Sequence, residues 1–452
     1  MLRSCVLALV LAAALAGSCA ALTFISPTEG ATVREEVRIA VARSDVPEGG
    51  FVVFNIDGEF RAAVGSPKEI GRGRSAFTFD WDTKAPIPER TVGFGLGAEP
   101  RYVADGKHDI EVVVHGSAGD VKERATVSVR VANKIPTTIP AKPVKLVYRL
   151  STGQHLMYDI KGKLEILDTE GRPMLDDPVI LTSSSQVAIT VEDQTIESSL
   201  VRYRWQPVVS IQYFGMPYPE PVYVPAPSYR YVTPGGKVTE AGFGQKSKVP
   251  LFDLFVQVPA GFARPGDSWS GSDTLTVPGI LRGAVVNVKS AFDSQEWESG
   301  HECAKLKMAL SSRFGLALIK DRLEMPESDV TGTGTAYFAY KTGKLISVDY
   351  VFTSQATVEN SVLDSLRQGQ GGDVGNVVLP STGPEIPYED SGPAPYSAYP
   401  TMPTTPGRRP YGTSSGAPSS GGYTGPSYGG EAAAVQTTPV KFRITVSVKQ
   451  KK

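Results

Sequence analysis

The chain has 452 residues, with 46 Lys+Arg against 47 Asp+Glu and 41% apolar side chains. That length holds two or three domains of roughly 150 residues each. The near-neutral balance gives no electrostatic case for a nucleic-acid partner, which would need clustered basic surface to displace counterions, and none is expected.

Residues 1–21, MLRSCVLALVLAAALAGSCAA, begin with a positive charge at Arg3, continue as an apolar run from Cys5 to Gly17 and end in small residues. This is the pattern of a secretory signal peptide, cleaved after Ala20 or Ala21. It predicts a secreted, periplasmic or cell-surface protein. The alternative, a lipid anchor at Cys19, fits less well. Leu15 stands four residues before that cysteine, whereas lipoprotein signals place leucine three before it. No later run approaches 18 apolar residues, so no transmembrane segment is expected after signal removal. Cys303 is the one cysteine outside this region, and the fold must hold by burial rather than by disulfides.

Residues 22–133 contain short alternating runs between turn signals: VRIAVA, FVVFNIDG, SAFTFDWDT, HDIEVVVHG and ERATVSVRVAN. About seven strands in this length predict a β-sandwich. Ile110, Val112 and Val114 share one face, as do Val127, Val129 and Val131. Trp81 is large enough to fill the space between two sheets. Pro27, Gly30, Asp57-Gly58 and Asp105-Gly106 supply turns. With SPTEGATV, VVFNIDGEF, FTFDWDT, DGKHDIEVVVHGSAGDV and TVSVRVAN in this order, the segment resembles a bacterial immunoglobulin-like domain of the secreted type. The resemblance covers about a quarter of the chain and implies a spacer, stalk or adhesive module. SPKEIGRGRS and GFGLGAEPRYVADG depart from the family pattern by lengthening two loops.

Residues 134–143, KIPTTIPAKP, carry Pro136, Pro140 and Pro143 and are predicted to form a semi-rigid linker. Residues 144–363 are again strand-rich. Leu146, Tyr148 and Leu150 share a face. So do Leu156, Tyr158, Ile160, Leu164 and Ile166; then Val187, Ile189 and Val191; then Ile346, Val348, Tyr350, Phe352, Ala356 and Val358. This predicts a larger antiparallel sandwich or partly closed barrel, and an all-β fold class. A single helix candidate, PLFDLFVQV, competes with an extended reading. PAGFARPGDSW, GHECAKLKM and GTGTAYFAYKTGKLISVDY resemble uncharacterised secreted β-rich bacterial families, which transfer no catalytic role.

Residues 364–433 are predicted to be disordered, because their Pro/Gly/Ser/Tyr-rich composition cannot bury enough surface to offset the entropy of ordering. Residues 434–452 then return to alternation: Val440, Phe442, Ile444, Val446 and Val448 against Lys441, Arg443, Thr445, Ser447 and Lys449. A lone strand is unstable, so this one is expected to complete the 144–363 domain. The alternative is that it adds to a sheet edge on another molecule.

Few residues invite chemistry. His301-Glu302 starts like a zinc-protease motif, but Lys305 stands where the second histidine is needed. Cys303 has lysines on its face and His301 nearby, yet reads best as a small sheet residue. His115-Gly116-Ser117-Ala118-Gly119 lacks the serine-hydrolase spacing, and Gly93/Gly95/Gly97 and Gly332/Gly334 lack the helix that phosphate binding requires. Asp57, Asp80 and Asp82 at strand ends read as turn carboxylates, with calcium as the rival. No catalytic residue, metal site or cofactor is therefore expected.

The densest feature is residues 205–234, with seven prolines and seven aromatics. Trp205, Tyr213, Tyr218, Tyr223, Tyr229 and Tyr231 are candidate exposed aromatics for a cell-surface glycan or protein partner. The expected role is structural, adhesive or ligand-binding. The alternatives are carriage of an apolar ligand inside the large domain, or a hydrolase with an unrecognised site in 144–363.

Overall fold

The computed structural model describes residues 22–71, 73–85, 87, 102–175, 177–205, 210–213, 216–217, 227–241, 254–277, 281–318, 323–371 and 436–451. The signal-peptide segment, most of GFGLGAEPRYVADG and residues 372–433 of the segment read as disordered lie outside the described residues. The fold is all-β, with several sheets.

The N-terminal module holds nine strands: β1 (Phe24–Ser26), β2 (Thr32–Val33), β3 (Glu36–Ala42), β4 (Phe51–Ile56), β5 (Glu59–Val64), β6 (Lys68–Glu69), β7 (Ser75–Asp82), β8 (Gly106–His115) and β9 (Val121–Val131). They form two sheets, β1-β3-β7-β6 and β2-β9-β8-β4-β5. Short β2 pairs parallel with β9 while the other pairings are antiparallel. This two-sheet arrangement is an immunoglobulin-like sandwich. The alternating strands bury one face each: Ile110, Val112 and Val114 are fully buried against Ile39, Phe54 and Phe77, and Trp81 is 4% exposed between the sheets. Asp57 and Gly58 both take positive φ, which suits a tight two-residue hairpin between β4 and β5.

The second half contains β10 (Val144–Leu146), β11 (His155–Leu167), β12 (Val179–Gln194), β13 (Ser199–Trp205), β14 (Ser210–Tyr213), β15 (Met216–Pro217), β16 (Ser228–Val232), β17 (Val238–Glu240), β18 (Gly261–Ala263), β19 (Ser268–Val277), β20 (Leu281–Glu298), β21 (His301–Leu318), β22 (Leu323–Ala339), β23 (Lys344–Glu359), α1 (Asn360–Gly371) and β24 (Thr437–Gln450). One 13-stranded sheet dominates, in the order β17-β16-β13-β12-β11-β24-β23-β22-β21-β20-β19, with β14 and β15 alongside β12. β10 and β18 form a separate pair.

This sheet is open in its order but curled in space. From β13 to β22 is five steps, about 24 Å along a flat sheet at ~4.8 Å per step. Yet Tyr203 on β13 reaches Phe338 on β22 through three ring contacts of 6.5, 5.0 and 5.0 Å, by way of Phe255 and Tyr148. The concave face is filled by the chain itself. Residues 146–150 and 254–258 run through it, and Tyr148 Oη donates to the Val256 carbonyl at 3.0 Å. Trp269 Nε1 donates to the Gln257 carbonyl at 2.7 Å. A partly closed barrel plugged by its own chain is the resulting architecture.

β24 lies in the middle of this sheet, antiparallel to both β11 and β23. Val440, Phe442, Ile444, Val446 and Val448 are each at most 1% exposed. Both edges of β24 are thus occupied by strands of its own chain.

Residues 254–258 of PLFDLFVQV follow the extended reading, with Leu254, Phe255, Val256 and Val258 buried. Two further expectations change. Residues 364–371 belong to α1, not to a disordered segment, because Leu363 and Leu366 seat the helix on the main core. Ile346 does not share the face of Val348. A bulge between Tyr337 and Phe338, opposite Leu345 and Ser347, turns Leu345 into the main core and Ile346 into a small cluster with Cys303 and Ala339.

Glycine supports the curl at one place. Gly332 and Gly334 on β22 stand opposite Phe352 and Tyr350 on β23. A Cβ on Gly334 would lie 2.8 Å from Met308 Cε and 2.9 Å from Tyr350 Cδ1. These are strand glycines over which aromatic rings close, as their lack of a following helix implied.

Candidate functional site

The predicted aromatics divide by strand parity. In β13, Ser199, Val201, Tyr203 and Trp205 face inward, and Arg204 faces outward. Trp205 is 4% exposed, so it is a core residue rather than an exposed platform. The alternation of β13 simply runs on into the proline-rich stretch. In β16, Ser228, Arg230 and Val232 are buried, while Tyr229 is half-buried and Tyr231 is 37% exposed. Tyr229 stands opposite Arg202, and Tyr231 opposite Leu200. Arg202 is itself held at 2.9 Å by Glu192 of β12. Tyr213 is placed on β14 against Leu181. Tyr218 and Tyr223 lie outside the described residues. The outward face of β13 and β16 thus joins two tyrosines to an arginine.

The inward face of the same strands is unusually polar. Ser183 and Ser185 on β12, Trp205 Nε1 on β13 and Ser228 on β16 are buried polar groups without a hydrogen-bond partner among the described residues. β12 pairs with β13 as far as Val187↔Trp205 and with β14 from Ser184↔Ser210; residues 206–209 between them lie outside the described residues. Sequence patterning could flag this only as serines at inward positions of a strand.

A second polar assembly joins the sandwich to the large sheet; both fall in one compact unit. The hairpin of β20 and β21 projects beyond the end of β19, leaving an edge at residues 295–297. The chain leaving the sandwich pairs with that edge: Ile135 N donates to the Gln295 carbonyl and Trp297 N to the Asn133 carbonyl, each at 2.9 Å. Arg34 stacks 3.7 Å over the Trp297 ring. Glu35 takes the left-handed conformation, φ 56°, and its carboxylate accepts from Gly300 N at 3.0 Å. Asn133 Oδ1 and Thr83 Oγ1 pin the Glu35 backbone in that conformation. Lys84 donates to the Trp297 carbonyl at 2.9 Å, pairs with Glu298, and sits 4.0 Å over the Tyr337 ring.

Cys303 and His301-Glu302, the residues weighed and set aside for chemistry in this part of the sequence, fall into this assembly or onto its rim. Cys303 shares its face with Lys305 and Lys307 but is fully buried. Burial, followed by the nearby Glu298 charge, pushes its thiol up, away from the reactive thiolate. Lys305 is engaged with buried Glu296 at 3.2 Å. Burial and then the Glu296 charge raise the Tyr337 hydroxyl. His301 is exposed, following the positive-φ turn Ser299-Gly300. Glu302 is held below its ordinary range by hydrogen bonds from Lys341 and then Tyr340.

The three aspartates go to separate partners. Asp57 binds His108 Nδ1 at 2.7 Å, Asp80 forks with Arg38 at 2.6 Å, and Asp82 accepts from Lys84 N at 2.8 Å. Among the described residues no group of three or more His, Cys, Asp or Glu is placed to hold a metal. Among them, too, no helix is long and apolar enough to cross a membrane.

No family model matches the chain, and no curated protein matches it. Among solved structures it is similar to the fibronectin(III)-like modules of Clostridium thermocellum CbhA. The identity is 13% and the TM-score 0.17, over 37% of this chain and 84% of that one.

Proposed function

We propose that the chain is an exported, non-catalytic protein of the cell envelope or extracellular space that works by presenting a binding surface to a cell-surface glycan or protein. The surface is the outward face of β13 and β16. The observation that carries this reading is the alternation in β16, which buries Ser228, Arg230 and Val232 and turns Tyr229 and Tyr231 outward beside Arg202. Tyrosine joins apolar area to a hydroxyl, and arginine adds a planar cation that stacks and forks; both are enriched where proteins meet partners. The signal-like residues 1–21 support export. Cys303 and Tyr337 support a structural rather than a chemical role, since burial pushes both groups up, away from their reactive forms, and Lys305 is paired with buried Glu296. The self-filled concave face weighs against an apolar cargo.

The test compares the full chain with a Tyr229→Ala/Tyr231→Ala variant for binding to cell-wall polysaccharides and to intact cells. The expected result is at least a ten-fold weaker affinity for the variant, with an unchanged melting temperature. Equal binding by both proteins would remove this face from consideration.

A further inference from the structure

The sheet is completed at its centre by a strand that arrives last. β24 pairs with β11 from Tyr158 to Leu167 and with β23 from Ser347 to Glu359. Between α1 and β24 run about 65 residues, and the cost of closing such a connection grows only with the logarithm of its length. The slot into which β24 fits is therefore defined by β11 and β23, whereas the covalent link that supplies the strand is long.

We propose that the slot between β11 and β23 is a strand-accepting site that also takes residues 437–450 from a second copy of this chain. The contacts are the same whichever copy supplies the strand. Val440, Phe442, Ile444, Val446 and Val448 enter the core, and Lys441 Nζ and Thr438 Oγ1 donate to the Thr169 carbonyl and Asn360 Oδ1. Only the entropy of the connection separates self-supply from exchange, which is the condition for strand swapping. The covalent connection raises the effective concentration of the strand at its own slot, to the order of millimolar for a flexible linker and less as a linker lengthens, and a second copy competes against that value. Exchange thus belongs to crowded settings such as a populated surface. A reciprocal swap closes a dimer, and an unreciprocated one propagates a chain of copies. The inference stands independently of the tyrosine face.

The experiment uses full chains with Cys5 and Cys19 changed to Ser, leaving buried Cys303 in place. Lys161 and Ser447 are register partners on the outward faces of β11 and β24. The double variant Lys161→Cys/Ser447→Cys reads the register within one chain. A mixture of the two single variants, unfolded together, refolded and oxidised, reads exchange between chains. The expected result is intrachain closure of the double variant at every concentration. In the mixture, a Lys161→Cys to Ser447→Cys cross-link should be abundant near 0.5 mM and at least ten-fold scarcer near 1 µM, following the effective concentration of the tether. A mixture of Lys122→Cys with Ser447→Cys, whose first cysteine lies on the sandwich, sets the background. If the double variant closes while the mixture never exceeds that background, the slot accepts only its own strand and the proposal is overturned. Failure of the double variant to close would remove the register on which it stands.

Discussion

The centre of the large sheet and its β12–β14–β16 end obey different rules, although they share one concave face. At the centre, β11, β24 and β23 are paired without a break across β24, and every inward side chain of β24 from Val440 to Val448 is apolar and buried. At the other end, β12 turns Ser183 and Ser185 inward, and these hydroxyls, Trp205 Nε1 and Ser228 are buried without partners among the described residues. Continuous pairing on both sides of β24 fixes its register, and with it which side chains meet the core. At the β12–β16 end the inward positions carry polar groups as well as apolar ones.

The largest expected effect lies at the centre. Phe442→Ala removes a fully buried ring flanked by paired strands on both sides, with little freedom for the site to collapse. A loss of about 3–5 kcal/mol is expected from urea denaturation. A loss below about 1 kcal/mol would show that the centre is no more tightly packed than the β12–β16 end. Gly334→Ala comes next. Its Cβ would meet Tyr350 and the Met308 methyl inside 3 Å, and relief requires a ring or its strand to move. The expected cost is about 1–3 kcal/mol, read in the same way.

The joint between sandwich and sheet is a third environment, with polar groups that are buried and partnered. Lys84→Met keeps the length of the side chain but leaves Glu298 and the Trp297 carbonyl without their donor. The expected cost is about 2 kcal/mol, since a hydrogen bond to a charged group is lost and an acceptor is left in a partly buried place. Limited proteolysis after Lys134 and Lys142 should also accelerate. Unchanged stability and proteolysis would mean that the backbone pairing at Ile135 and Trp297 holds the joint alone.

These regions also differ in how far the amino-acid order reveals them. Strict alternation made the sandwich strands and β24 readable, because a period of two has one physical meaning on a half-buried sheet. It failed at Ile346, where one bulge reverses the parity. It failed at Trp205, which was grouped with its proline-rich neighbours although Val201 and Tyr203 already set its direction inward. The α1 helix leaves a faint trace in the sequence: among its described side chains, Leu363 and Leu366 are the buried ones. The joint was illegible for a different reason. Arg34, Glu35 and Lys84 lie more than 200 residues from Trp297, Gly300 and Glu298, and nothing local announces such a pairing. Of the aromatic surface, the alternation of Tyr229 and Tyr231 with Arg230 was in the sequence, but which side faced out was not.

The smallest effects give the sharpest contrast. Ser354 on β23 and Ser185 on β12 are 3% and 1% exposed, and both face the concave side. Ser354 Oγ lies 2.7 Å from Ser328 Oγ, whereas Ser185 Oγ has no partner among the described residues. Ser354→Ala therefore breaks a hydrogen bond and strands the hydroxyl of Ser328, with an expected loss of about 1 kcal/mol. Ser185→Ala removes a polar atom that was desolvated without compensation, and is expected to be neutral or to stabilise by up to about 1 kcal/mol. Equal losses in the two variants would mean that a buried water satisfies Ser185. The end of the sheet would then be as well satisfied as its centre, with solvent partnering the hydroxyls that β12 turns inward.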